Sequence, residues 1–243
     1  MSKSASLFNE PLKQFQRTLA RKLDPKQNAM YLHKEVAIRM AGRLDDIKRS
    51  TFTNVLGIGP ASQLVCEEAS EEKIGKFSLL SLPTAKMPNE AFDACISNLY
   101  LHWVNDLPKL MADINSTLMP DGLFITSVFG LDSLSELREC LQLAEVERVG
   151  GFSPHISPMM RMEDMGNLLS KTGFNLVTVD YESITVQYPS MLDLMDDLFL
   201  MGESAALTAP SRTCLGKETL MAADALYKGK YTFNFNFYAC INL

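Results

Sequence analysis

Cysteine is scarce and scattered. Cys66, Cys95, Cys140, Cys214 and Cys240 are odd in number and widely spaced, with no C-x-x-C pair. That excludes a disulfide framework and a zinc knuckle, and it points to a reducing compartment. Histidine is scarcer still. His33, His102 and His155 form no H-x-D…H triad of the kind that holds a non-haem iron. No apolar run approaches the ~18 residues of a membrane-spanning helix, and Met1–Glu10 lacks the apolar centre of a secretory signal. A basic excess is missing too: 23 Lys and Arg stand against 29 Asp and Glu, for a net charge of −6. The short basic clusters, Arg17–Lys22 and Arg43–Arg49, read as solvated helix faces, so nucleic acid is not an expected partner. A bacterial cytoplasmic protein is the plain expectation.

What the chain does have is core-forming material. Its 243 residues are 47% hydrophobic and 21% charged, which rules out disorder as the main state and supports a sizeable domain. Two helices are expected between Asn9 and Ile47, broken near Pro25, because Tyr31, Leu32, Val36, Ala37 and Met40 recur at helical spacing. A β-prone stretch, Thr51–Leu56, leads into Gly57-Ile58-Gly59-Pro60 and a helix from Ala61. Phe77–Leu82 and Phe92–Ser97 read as buried strands, Asn105–Leu118 as a helix, and Leu123–Phe129 as a further strand. Pro120-Asp121-Gly122 reads as a turn. Ser133 with Glu136 three residues on predicts a capping box for a helix to Val149. Gly150–Pro158 is an irregular loop, and Glu163–Lys171 is a helix stopped by Gly173. Asn175–Tyr188 is strand-rich, helices follow at Met191–Met201 and Lys217–Tyr227, and Phe233, Phe235 and Phe237 alternate with Asn in a final antiparallel strand. Strands alternating with helices, then a late antiparallel pair, imply a doubly wound α/β sheet. An N-terminal helical segment, 1–50, precedes the α/β domain, 51–243.

Ligands of such sheets bind beyond the carboxyl ends of the strands, which directs attention to three segments. Gly57-x-Gly59 lies between a strand and a helix, where glycine permits a tight turn and close approach to backbone N–H groups. A strand-to-helix turn without a ligand is the plain alternative. Asn98–Leu107 holds His102 and the single tryptophan, Trp103, which read equally as core packing beside a helix start capped by Asn105. Gly150–Pro158 carries Ser153 and His155, either a rigid connector or a substrate-facing loop in which His155 acts as acid, base or donor.

Leu101–Pro108 (LHWVNDLP), Pro120–Ile125, Glu136-Leu137-Arg138, Leu141–Glu145 and Gly150–Pro158 (GGFSPHISP) run in one consecutive series. Together with Tyr31-Leu32, Ile74–Phe77, Phe92-Asp93 and Met201–Ser204, they resemble the mitochondrial complex I assembly factor 5 family and its bacterial relatives. That family is of the class I S-adenosylmethionine (SAM)-dependent methyltransferase type and includes a protein-arginine hydroxylase. More distantly, the chain is similar to the malonyl-acyl-carrier-protein methyltransferase of biotin synthesis. The resemblance implies a mostly parallel, doubly wound methyltransferase-type sheet and a protein substrate, such as a respiratory complex subunit, with the mitochondrial matrix as the alternative location. It implies that Gly57, Gly59, Ala61, Ser81, Leu82, Ser97, Asn98 and Leu99 flank a SAM molecule. It places Tyr31, His102, Trp103, Ser153 and His155 on the substrate side.

The chain departs from the family pattern at the cofactor. Val55 stands where the first strand should end in an acid, Ala61 where a third glycine belongs, and Pro60 contributes no N–H. Ser81 stands where a carboxylate should take both ribose hydroxyls. Losing a hydrogen bond to a charged group costs roughly 10- to 100-fold in affinity. SAM is therefore expected to bind weakly or not at all, and a cofactor-free assembly or binding scaffold is the alternative function. Between Ser81 and Phe92 there is no room for both a crossover helix and another parallel strand, because a crossover with its helix alone needs at least about 10–12 residues. A truncated sheet edge is expected.

Overall fold

The computed structural model describes residues 6–80, 88–209, 215–228 and, for the backbone alone, 233–242. In chain order the elements are α1 (Glu10–Leu23), α2 (Tyr31–Asp46), β1 (Phe52–Ile58), α3 (Ser62–Glu68), β2 (Ile74–Leu80), β3 (Phe92–Ser97) and α4 (Leu107–Thr117). They continue with β4 (Leu118–Phe129), α5 (Ser135–Val149), α6 (Met162–Lys171), β5 (Thr178–Val186), α7 (Met191–Leu200), α8 (Lys217–Lys228) and β6 (Phe233–Asn242). The chain divides into two compact units. One comprises residues 1–30, 131–159 and 183–236; the other comprises 31–130, 160–182 and 237–243.

The second unit is built on the sheet, whose strand order is β2-β1-β3-β4-β6-β5. β2, β1, β3 and β4 run parallel, with Gly57 beside both Leu79 and Ile96, and Ser97 beside Thr126. β6 joins β4 antiparallel, with Ile125 beside Ile241, as the alternating pattern predicts. The unbroken burial of β3 after Phe92 and of β4 from Leu123 onward suits strands covered on both faces. On one face, Leu110, Met111 and Ile114 of α4 pack with Phe124 and with Met165 and Leu169 of α6. The Phe124 and Phe174 rings stack there with centroids 5.2 Å apart. β2 borders the sheet among the described residues, in agreement with the truncated edge.

Several local expectations are corrected. β2 is half-exposed rather than buried, because a border strand has only one neighbour. The Pro120–Gly122 turn does not stand between helix and strand. It is an irregularity within β4, where Asp121 takes φ +59° and the partner residues jump from Phe92↔Leu118 to Ala94↔Leu123. α4 is capped not by Asn105 but by Asp106, whose carboxylate accepts the Lys109 N–H at 3.2 Å. The start of the next helix is displaced from the expected Ser133 cap. α5 begins at Ser135 behind Leu134, which holds φ +57° and gives no side-chain cap.

In the first unit, α1 starts on the Asn9 side chain, which accepts the Leu12 N–H at 3.1 Å, and carries Arg21 and Lys22 in its last turn. Its Lys13 is buried, and Nζ donates to the Gly202 and Ser204 carbonyls at 2.9 and 2.7 Å. Burial pushes this ammonium's pKa down to about 7; the Glu203 carboxylate opposes the shift and Arg17 adds to it. A neutral amine keeps two hydrogens, enough for both carbonyls. Unfolded lysine titrates near 10.4, so between the two values the unfolded chain holds the extra proton and stability rises with pH. Below pH 7 both states are protonated and this contribution is constant. Denaturant unfolding is expected to show a gain of about 1–3 kcal/mol from pH 7 to 9. The Lys13→Met variant should lack that gain, and equal pH slopes in the two proteins would refute the assignment.

Candidate functional site

The carboxyl ends of β1 and β3 bring Gly57, Gly59, Ala61, Ser97, Asn98 and Leu99 to neighbouring positions. Ser81 and Leu82 lie outside the described residues. Asn98 is the centre of this end of the sheet. Its Nδ2 donates to the His33 carbonyl at 2.9 Å and to the Ala61 carbonyl at 3.2 Å, and its Oδ1 accepts from Ser127 Oγ at 3.0 Å. Ser127 Oγ in turn accepts the Leu99 N–H at 3.0 Å, and Leu99 sits at φ +44°. One buried amide therefore ties the glycine turn, α2 and the segment after β3 together.

The space a ligand would use against the glycines is taken by the protein. A Cβ on Gly57 would lie 2.3 Å from the Phe77 ring and 2.5 Å from Ser62 Oγ. On Gly59, at φ +81°, it would lie 2.4 Å from the Tyr100 ring. Ser62 Oγ also donates to the Gly59 carbonyl at 2.6 Å, closing the turn internally. Val55, at the place of the family's acid, is wholly buried in the sheet. Two hydroxyls are unspent: Ser97 Oγ and Thr126 Oγ1 are buried without hydrogen-bond partners on paired positions of β3 and β4. A zwitterionic, ribose-bearing ligand calls for carboxylate acceptors. The described residues supply two hydroxyls and two occupied glycine cradles instead, and this donor set does not fit a tightly held SAM.

His102 and Trp103 form a 3-10 turn whose rings are nearly buried. The His102 ring meets Phe129 edge-on at 4.8 Å and Trp103 at 5.4 Å. Tyr31 opens α2 and is half-buried. Ser153 and His155 belong to the other unit. There the Glu145 carboxylate, 1% exposed, accepts the Ser153 N–H at 2.9 Å and stands 2.8 Å from His155 Nε2. The His155 contact is one of approach rather than alignment, since Nε2 makes no well-directed hydrogen bond. α5 ends at Gly150 in the left-handed region (φ +75°), which turns the chain back so that the loop meets its own helix.

That loop walls a cavity of about 710 Å³ in the first unit, lined also by Leu7, Arg138, Leu141 and Leu207. Glu145 and Arg138 lie inside the sequence strings singled out above. Their roles escaped sequence reasoning because only the helical phase of α5 aims them at the loop and the cavity. Ser127 and Thr126 escaped because the residues they stand beside, Asn98 and Ser97, lie about thirty residues away in the sequence, on the neighbouring parallel strand. Among the described residues no cluster of three or more His, Cys, Asp or Glu could hold a metal ion, and no helix is long and apolar enough to cross a membrane. Burial pushes the Cys66 thiol up to about 12 and raises Cys95 as well, which keeps these two described thiols unreactive.

Residues 18–179 match the family profile described as a methyltransferase domain. A structure from Bacillus halodurans C-125, provisionally assigned as a methyltransferase, aligns with a TM-score of 0.50 at 9% identity. It covers 84% of this chain and 97% of that one, a likeness of fold alone. Fold and profile thus define a class I methyltransferase-type protein. The human arginine-hydroxylase NDUFAF5, mitochondrial, is 39% identical over 251 residues, 94% of this chain and 72% of that protein. The malonyl-[acyl-carrier protein] O-methyltransferase of Xylella fastidiosa is 32% identical over 145 residues, 60% of this chain and 47% of that protein. The chain belongs to the family of the NDUFAF5 arginine hydroxylases, within the methyltransferase-domain proteins.

Proposed function

We propose that the chain modifies or handles a protein substrate in the assembly of respiratory complex I. The observation that carries this reading is kinship to an arginine hydroxylase along 94% of the chain. The cofactor face is Gly57, Gly59, Ala61 and Ser97–Leu99, with Ser81 and Leu82. Tyr31, His102, Trp103, Ser153 and His155 face the substrate. SAM binds weakly there, because Val55 and Pro60 remove an acceptor and a donor and because Phe77 and Tyr100 crowd the glycines. Those same rings favour a second reading, a scaffold that has lost its cofactor and keeps its docking residues.

Mass spectrometry of complex I subunits from cells with and without the chain tests the reading. An arginine that gains one oxygen only when the chain is present supports hydroxylation, and a gain of one methylene supports methyl transfer. Unmodified subunits with less assembled complex support the scaffold. If neither modification nor assembly depends on the chain, the proposal fails. Calorimetric titration of SAM reports the cofactor separately: micromolar affinity would overturn the weak-site reading.

A further inference from the structure

The cavity of the first unit has a chemistry of its own. Its walls are apolar, from Leu7, Leu141, Phe152, Pro154 and Met159 among others, and no Asp or Glu lines it. Two polar groups on those walls are unspent. Arg138, on the same face of α5 as Leu141 and Gln142, makes no ion pair among the described residues. Ser157 is 7% exposed, and its Oγ is buried with no hydrogen-bond partner. The nearby Glu145 carboxylate is already committed to the Ser153 N–H and His155. A buried hydroxyl without a partner costs free energy that a ligand would recover. An unpaired guanidinium on an apolar wall selects an anion, with a planar carboxylate best matched to its fork. The volume lies in the range of small-molecule sites.

We infer that this cavity binds an apolar chain ending in a carboxylate, with Arg138 pairing the head and Ser157 Oγ donating to it. The inference rests on the reading of residues 152–158 as a binding segment and gives that segment's ligand chemistry. It does not depend on which reaction the chain performs.

Calorimetry of the full chain with dodecanoate below its micelle concentration tests the proposal, with dodecanol and dodecylammonium as matched probes. Dodecanoate is expected to bind one to one, at least about tenfold tighter than dodecanol, and dodecylammonium not measurably. Arg138→Gln should bring dodecanoate down to the dodecanol level and leave dodecanol unchanged, whereas Arg138→Lys keeps part of the preference. Ser157→Ala should weaken dodecanoate about threefold, and Leu141→Trp, which fills the cavity, should abolish binding of all three. Unfolding midpoints identify any variant that fails to fold, and the two Arg138 substitutions, on a half-exposed side chain, keep the test decisive. Equal binding of the three probes, no binding of dodecanoate, or undiminished binding by Arg138→Gln would each overturn the proposal. Arginine modification in cells is read independently, so failure of this site and failure of the proposed function remain separate results.

Discussion

Gly59→Ala is expected to destabilise the chain by about 2–5 kcal/mol. The left-handed backbone at φ +81° costs a β-carbon residue roughly 1–2 kcal/mol. The new methyl group would also lie 2.4 Å from the Tyr100 ring, a buried side chain with nowhere to retreat. Overpacking of that kind costs roughly 1–3 kcal/mol more. Tyr100→Ala in the same chain should relieve the steric part and leave the backbone part, giving a favourable coupling in a double-mutant cycle. Gly42→Ala, in α2 with nothing within 4 Å of the added carbon, should instead gain up to about 1 kcal/mol. Urea midpoints of the parent, Gly59→Ala, Tyr100→Ala, their double variant and Gly42→Ala measure both signs and the coupling. A Gly59→Ala protein as stable as the parent would mean that the space beside the glycine is open, which would revive a tight cofactor site.

Asn98→Leu is expected to cost about 2–6 kcal/mol. The substitution keeps the branched shape but removes the amide's bonds to the His33 and Ala61 carbonyls, the second of which keeps the Leu64 N–H, and leaves the Ser127 hydroxyl without its acceptor. Each lost buried hydrogen bond costs roughly 0.5–1.5 kcal/mol, and the hydroxyl left without an acceptor roughly 1–3 kcal/mol. Asn98→Asp should be no better, because a carboxylate would face two carbonyl oxygens. Hydrogen exchange at the Leu99 amide, held by Ser127 Oγ and carbonyl oxygen, should speed up with the loss of stability. A cost under about 1 kcal/mol would show that water replaces the amide at no penalty.

The apolar runs of β3 and β4 and the alternation of β6 were legible, because burial on two faces or one writes itself directly into the sequence. The helices α1, α2 and α6 were legible from spacing and from their ends. What escaped was set by tertiary contact. Phe77–Leu82 is apolar enough to read as an interior strand, and only the missing neighbour makes β2 half-exposed. Ser133 and Glu136 have capping-box spacing, yet Leu134 breaks the helix between them. Strand order and loop composition located the glycine turn and the 150–158 loop, and kinship gave them roles. Neither gave a sign that Phe77 and Tyr100 occupy the space beside the glycines, or that Glu145 grips the loop. The first depends on rings arriving from β2 and from the segment after β3, the second on how far α5 turns before Gly150.

The shortened sheet has a consequence for life at high concentration. A border strand offers a row of N–H and C=O groups to any similar strand that drifts past, and two copies of β2 would be ready-made partners for each other. Lys76 stands exposed in the middle of that border, beside Gly75, which has little liking for extended pairing. Two such borders zipped in register would force like charges together in the crevice they create. Among the described residues no strand covers that flank, and the Lys76 ammonium opposes its pairing with a second copy.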